Sequence, residues 1–318
     1  MVLKIIALCV VVALLILTGL TMWKVEQRRA GAAKNYPPEG AFVNIDGHSV
    51  HYVDMGAGPD LVLLHGASGN TRDLTFSLAG KLAKNYRVII FDRPGLGYTP
   101  RLARVGVTIS DQADLLSKAA QKLGMEKPIV AGQSFGGAVA MAWAVNHPDR
   151  ISAVVSMAGA TYPWEGELDA FNARLAHPVF GPILTRLIAA WASADYVAAS
   201  IESIFGPQSA PEGYADYIGV PVVLNPKSLM ANAQQRHDLR PQLQALYTQY
   251  PDLDLPIEIV HGDADTTVGV HVHSTRMVDD IKGANLVVLP GVGHMPQHVS
   301  QPEVMAAIDR AATRAGLR

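Results

Sequence analysis

Residues 128–146 pass from an apolar strand through a glycine-hemmed turn into a helix, and few folds use that succession. The strand is 128–131 and the turn is Gly132-Gln133-Ser134-Phe135-Gly136. The segment 138–146 is helix-like, with Pro148 past its end. A Gly-x-Ser-x-Gly turn between strand and helix strains the central residue and lifts its side chain above a sheet. The glycines fit positions where any Cβ would crowd the neighbouring strand and helix. The same pentapeptide also fits an ordinary glycine-rich turn, so the rest of the chain has to decide.

A serine hydroxyl is a weak nucleophile and needs a base, an orienting acid and an oxyanion site. The base candidate is His294 in Pro290-Gly291-Val292-Gly293-His294, after an apolar strand at 285–289. His298 is its nearest rival but lacks the Gly-x-Gly lead-in that permits a tight loop. The acid candidate is Asp265, after a strand at 256–260, with Asp263 as the alternative, since acidic loop residues often only stabilise turns. Asp265 is favoured because it lies further along the loop toward the centre of a site. The oxyanion candidate is the loop His65-Gly66-Ala67-Ser68-Gly69, after a strand at 61–64. There the backbone N–H of Ala67 is expected to do the chemistry while His65 braces the loop. Asp92, in Asp92-Arg93-Pro94-Gly95-Leu96-Gly97, reads as a residue that ties down a turn. The chain order Ser, Asp, His and the position of each residue just past a strand agree with an open α/β sheet.

These motifs together resemble the α/β-hydrolase superfamily, in the branch with a cap inserted in the sheet, over roughly residues 40–316. The resemblance implies Ser134 as nucleophile, Asp265 as acid and His294 as base, with the N–H groups of Ala67 and Phe135 as the oxyanion hole. It implies no metal and no organic cofactor. Haloalkane dehalogenases and epoxide hydrolases of that superfamily carry Asp at the turn, so Ser134 argues against both chemistries. The expected activity is hydrolysis of a small, fairly apolar carboxylic ester. A C–C bond hydrolase or perhydrolase with the same triad is the alternative. A catalytically silent, membrane-tethered binding module is a third reading, disfavoured because every catalytic group is kept.

The expected fold class is α/β: an eight-stranded, mostly parallel sheet flanked by helices, with a helical cap. A hairpin around Asp46-Gly47 opens the sheet. Helices are expected at 73–84 and at 110–123, the second with Ser110 as N-cap. The sheet domain is read as 41–161 and 250–318, and 162–249 as the cap, because no strand pair is evident there. Trp164 and Trp191 are the cap residues chosen as candidates to line an apolar pocket.

The N-terminus departs from a plain hydrolase. Residues 5–23 are nineteen nearly unbroken apolar positions, ending at Trp23 and followed by Lys24, Arg28 and Arg29. That length crosses a bilayer as a helix. Residues 1–29 are therefore read as an uncleaved single-pass anchor, with its side of the membrane open, and 30–40 as an extended linker. A cleaved signal peptide is the competing reading. Net charge is −2, which points away from nucleic acid, and Cys9 is the sole cysteine, which rules out an internal disulfide. The expected partners are a small-molecule ester and the membrane.

Overall fold

Short β-branched runs bounded by turn residues form the strands, and the computed structural model describes residues 1–103, 107–166 and 170–318. The strands are β1 (Ala41–Ile45), β2 (His48–Gly56), β3 (Asp60–Leu64), β4 (Arg87–Phe91), β5 (Ile129–Gln133), β6 (Ala153–Met157), β7 (Ile257–Gly262) and β8 (Asn285–Leu289). They make one eight-stranded sheet in the order β1-β2-β4-β3-β5-β6-β7-β8. The pairs β1–β2 and β2–β4 are antiparallel. The pairs from β4–β3 onward are parallel. Asp46 and Gly47 take φ of 51° and 86°, the left-handed pair a two-residue hairpin needs.

In chain order the helices before β6 are α1 (Val2–Asn35), α2 (Thr71–Thr75), α3 (Leu78–Leu82), α4 (Ile109–Lys122) and α5 (Phe135–Asn146). Between β6 and β7 come α6 (Ala170–Ala176), α7 (Gly181–Trp191), α8 (Ala194–Phe205), α9 (Tyr214–Tyr217), α10 (Val220–Val223) and α11 (Pro226–Leu246). The chain closes with α12 (Ser274–Asp280), α13 (Pro296–Val299) and α14 (Gln301–Arg314). Every residue of β5 and β6 is buried, because helices cover both faces of a parallel sheet. Alternation along β3 divides the core in two. Val62 and Leu64 pack with α4 and α5, and Leu61 and Leu63 pack with α3 and α14. The segment between β6 and β7 is helical, with no strand among its described residues.

Local expectations fail in three places, each for a physical reason. The helix expected at 73–84 is two helices, because Phe76 turns into a ring cluster with Tyr214, Tyr217 and His298. The N-cap of α4 is Thr108, not Ser110: Thr108 and Asp111 exchange hydrogen bonds in a capping box. Ser110 has Ala113 three residues on and has no such partner. The expected linker is not extended throughout. α1 continues to Asn35, and only Tyr36 and the Pro37-Pro38 pair end it.

The helical continuation has a tertiary cause. Side chains of α1 up to Leu20 are exposed, whereas Thr21 and Ala32 are buried against the cap. Arg28 donates to the carbonyls of Ala189 (2.7 Å) and Ala192 (3.0 Å) at the C-terminal end of α7. A cation there also meets the negative end of the helix dipole. By length and composition, α1 is the one described helix able to cross a membrane.

Candidate active site

The elbow forms because β5 runs into α5 with a single residue between them. That residue is Ser134, at φ 52° and ψ −118°. A non-glycine residue there costs about 1–3 kcal/mol and persists only where its surroundings enforce it. The surroundings are close-packed backbone. A Cβ on Gly132 would lie 2.2 Å from Gly136 O, and one on Gly136 would lie 2.3 Å from Leu64 O. Ser134 N donates to Met157 O (3.0 Å), and Ala160 N donates to Ser134 O (3.0 Å), pinning the turn to β6.

The two aspartates of the 261–268 loop go to different places. Asp265 Oδ2 accepts from His294 Nδ1 at 2.7 Å. Its Oδ1 accepts from Thr267 N (2.8 Å) and Val268 N (2.9 Å). Asp263 Oδ1 instead accepts from Gly291 N at 2.6 Å and braces the loop after β8. His298 pairs with Asp73 at 2.9 Å, away from Asp265.

His261, which sequence reasoning passed over, is a second neighbour of Asp265. Its Nε2 lies 2.8 Å from Val268 O and 3.1 Å from Asp265 Oδ2, while Nδ1 faces the Ser274 hydroxyl at 2.5 Å. The proton therefore sits on Nε2 and is shared between two acceptors. Burial by itself would raise the Asp265 carboxyl. The hydrogen bonds from His261 and then His294 outweigh it and hold the group well below the ordinary carboxylate range.

The loop 65–69 lies against the elbow and is held from three sides. Arg93, fully buried, donates to His65 O (2.8 Å) and Gly66 O (2.9 Å) and stacks 4.4 Å from the Phe135 ring centroid. His65 donates from Nδ1 to Gly66 O (2.9 Å) and accepts from Arg93 N at Nε2 (3.0 Å). Burial, helped by the Arg93 charge, pushes His65 down to about 4, so it stays neutral and braces the loop as expected. From the cap, Asn232 accepts from Ser68 N (2.7 Å) and donates to Ser68 Oγ (3.0 Å). Asp92 accepts from Thr71 N at the start of α2 (2.7 Å) and from Tyr98 N in the turn after β4 (2.8 Å), tying the two together.

Ser134, Ala67, Phe135 and His294 line one cavity of about 720 Å³ between the sheet and the cap. Asp265 stands behind His294. His294 Nε2 lies 3.3 Å from the Gln133 side-chain nitrogen, which also donates to His294 O at 3.1 Å. Among the described residues no hydrogen bond joins Ser134 Oγ to that ring, whose Nε2 faces Gln133 instead. His273 also lines the cavity, accepting at Nδ1 from Thr161 N (3.1 Å) and Tyr162 N (3.0 Å). Burial, then the neighbouring His261, lowers it to about 4. Trp164 lines the cavity. Trp191 is absent from the lining. Its indole instead donates to Thr21 Oγ1 of α1 at 3.0 Å, and the expectation that it faces the pocket is corrected. No group of three or more His, Cys, Asp or Glu side chains is placed to hold a metal among the described residues.

This fold and site define a hydrolytic enzyme. Residues 59–301 match the alpha/beta hydrolase fold family, and the chain belongs to it. The chain is similar to haloalkane dehalogenase 2 of Mycobacterium tuberculosis, 27% identical over 291 residues that cover 86% of this chain and 94% of the relative. It is also similar to the 2-hydroxy-6-oxononadienedioate/2-hydroxy-6-oxononatrienedioate hydrolase of Burkholderia vietnamiensis, 28% identical over 265 residues, 78% and 85% of the two chains. Among solved structures, a bacterial membrane phospholipase A superposes with a TM-score of 0.64 at 18% identity. That match covers 97% of this chain and 99% of the other, so the likeness of fold extends into α1.

Proposed function

We propose that the protein is a membrane-anchored serine hydrolase that cleaves carboxylic esters carrying an apolar acyl chain. The observation that carries this reading is the convergence of a strained Ser134 and the Asp265-oriented His294 on one cavity. Ser134 Oγ attacks the ester carbonyl as His294 Nε2 takes its proton. Asp265 holds the ring with its proton on Nδ1 and stabilises the imidazolium. The N–H groups of Ala67 and Phe135 receive the oxyanion, the term that usually contributes most. His294 then returns the proton to the leaving alcohol, and water cleaves the acyl-enzyme by the same base.

The lining favours an acyl chain. Trp164, Leu175, Ile188, Val197, Ile201 and Ile204 give the cap side of the cavity an apolar wall. Dehalogenation of the haloalkane type is disfavoured because Ser134, not Asp, occupies the elbow. The anchor reading is supported by the contacts of Thr21, Arg28 and Ala32 with the cap, which signal-peptide cleavage near residue 33 would remove. The test is covalent labelling by a fluorophosphonate together with turnover of an ester series of increasing acyl length. Ser134→Ala is expected to abolish labelling and lower turnover by about 10⁴-fold or more. Labelling that persists at another serine, such as Ser68, overturns the assignment.

A further inference from the structure

The apolar run 5–23 is about 28 Å long at 1.5 Å per residue, close to the ~30 Å of bilayer hydrocarbon. The domain touches this helix from inside that run. Thr21, 6% exposed, is the first buried residue of α1, and it accepts from the Trp191 indole at 3.0 Å. With the run spanning the hydrocarbon, Trp191 stands at the boundary of acyl chains and headgroups, where tryptophan and tyrosine concentrate. One turn further out, Lys24 Nζ lies 3.8 Å over the Trp191 ring. Beyond it Arg28 clamps Ala189 and Ala192. The cap is thus fixed to the anchor and has a set attitude to the bilayer.

Five residues past Trp191 is Tyr196, which is 57% exposed and also lines the cavity. Phe171 shares both properties at 49%. These two rings mark the cavity mouth. α8 begins beside it with an inner face of Val197, Ile201 and Ile204 on the cavity, and Phe205 is its one buried residue. Beyond α8, Gln208 bonds Gly291 O (2.7 Å) and Gly293 N (2.9 Å) in the loop that carries His294. A single segment therefore runs from the anchor contact, past the mouth, to the catalytic-base loop.

We propose that the 191–196 edge of the cap is a lipid-docking surface. α1 acts as a strut that seats this edge in the bilayer interface, so the mouth opens onto the leaflet and takes the acyl chain of a membrane-dissolved ester directly. The proposal rests on the membrane-anchored reading above. Lys24 stands on the water side of Trp23, over the Trp191 ring, where its charge suits anionic headgroups.

The test uses the full-length chain in vesicles of phosphatidylcholine and phosphatidylglycerol, spin-labelled at one site at a time. Native Cys9 is the lipid reference. Lys127→Cys, at the end of β5 away from Ser134, is the water reference. Tyr196→Cys is the probe, both variants in a Cys9→Ser background. The expected result is that the label at 196, like that at 9, is relaxed more by oxygen than by nickel-EDDA, with the reverse at 127. A label at 196 that tracks 127 overturns the docking, and a water-exposed label at Cys9 overturns the anchor itself. A second arm measures Arg28→Glu on a short soluble ester and on a long-chain ester dissolved in the vesicles. Loss of effective concentration is expected to lower the vesicle rate by about tenfold or more, with the soluble rate held within about twofold. Parallel change in both rates, or change in neither, overturns the strut.

Discussion

Gly136→Ala tests how closely the elbow and the oxyanion loop are packed. The added Cβ would lie 2.3 Å from Leu64 O and 2.8 Å from His65 O. Both are backbone carbonyls, so no side chain can swing aside. Carbon–oxygen contacts settle near about 3.3 Å. The start of α5 and the end of β3 must therefore part by roughly 1 Å. The start of α5 carries the Phe135 N–H, and the loop after β3 carries the Ala67 N–H. A misplacement of about 1 Å at reacting groups costs about 100-fold in rate, and overpacking costs about 1–3 kcal/mol of stability. The expected result on a short soluble ester is a kcat about 100-fold lower with KM nearly unchanged, the pattern of a lost transition-state interaction. Gly80→Ala is the control: Gly80 sits in α3 with nothing within 4 Å of an added Cβ, and kcat should not move. A folded Gly136→Ala enzyme with wild-type kcat would refute the assignment of the two N–H groups.

Asp265→Asn is expected to lower kcat by about 10⁴-fold by disfavouring the needed His294 tautomer. Asp263→Asn, which weakens the bond to Gly291 N, should cost mainly about 1–2 kcal/mol of stability; the reverse ranking of kcat transfers the acid role to Asp263. His65 and His273 are each lowered to about 4 from 6.5, so the unfolded chain takes up their protons first. Their contribution is full above pH ~6.5 and drains as pH falls toward 4, a loss of about 2 kcal/mol each at pH 5. Urea melts at pH 7.5 and pH 5 measure it, and His273→Gln should remove part of the difference; a pH-independent midpoint contradicts the burial argument. Deleting residues 1–20 should leave the melting temperature and soluble-ester kcat unchanged. Deleting 1–35 strips the Thr21, Arg28 and Ala32 contacts and should lower melting by about 5 °C; identical melting of the two truncations argues against a docked helix.

The sheet was legible in the sequence because each strand is a short apolar run closed by its own turn residues, and the elbow because Gly-x-Ser-x-Gly between strand and helix is local geometry. The order of Ser134, Asp265 and His294 along the chain belongs to the same short-range information. The choice between Asp263 and Asp265 did not: the residues are two apart, and only the packing of the β8 loop on β7 sends one to Gly291 N and the other to His294. Gln133, His261, Asn232 and His273 have no motif of their own. Their roles come from partners up to 164 residues away, as in the Asn232–Ser68 clamp. Trp164 and Trp191 looked alike as apolar cap positions, yet one faces the cavity and the other holds α1. The sequence also reads as an apolar helix followed by small residues and prolines, which implies a loose tether. Tertiary structure made its inner half part of the cap, because a helix of Thr, Val, Arg and Ala along one face finds buried partners only when α7 and α10 are there to receive it.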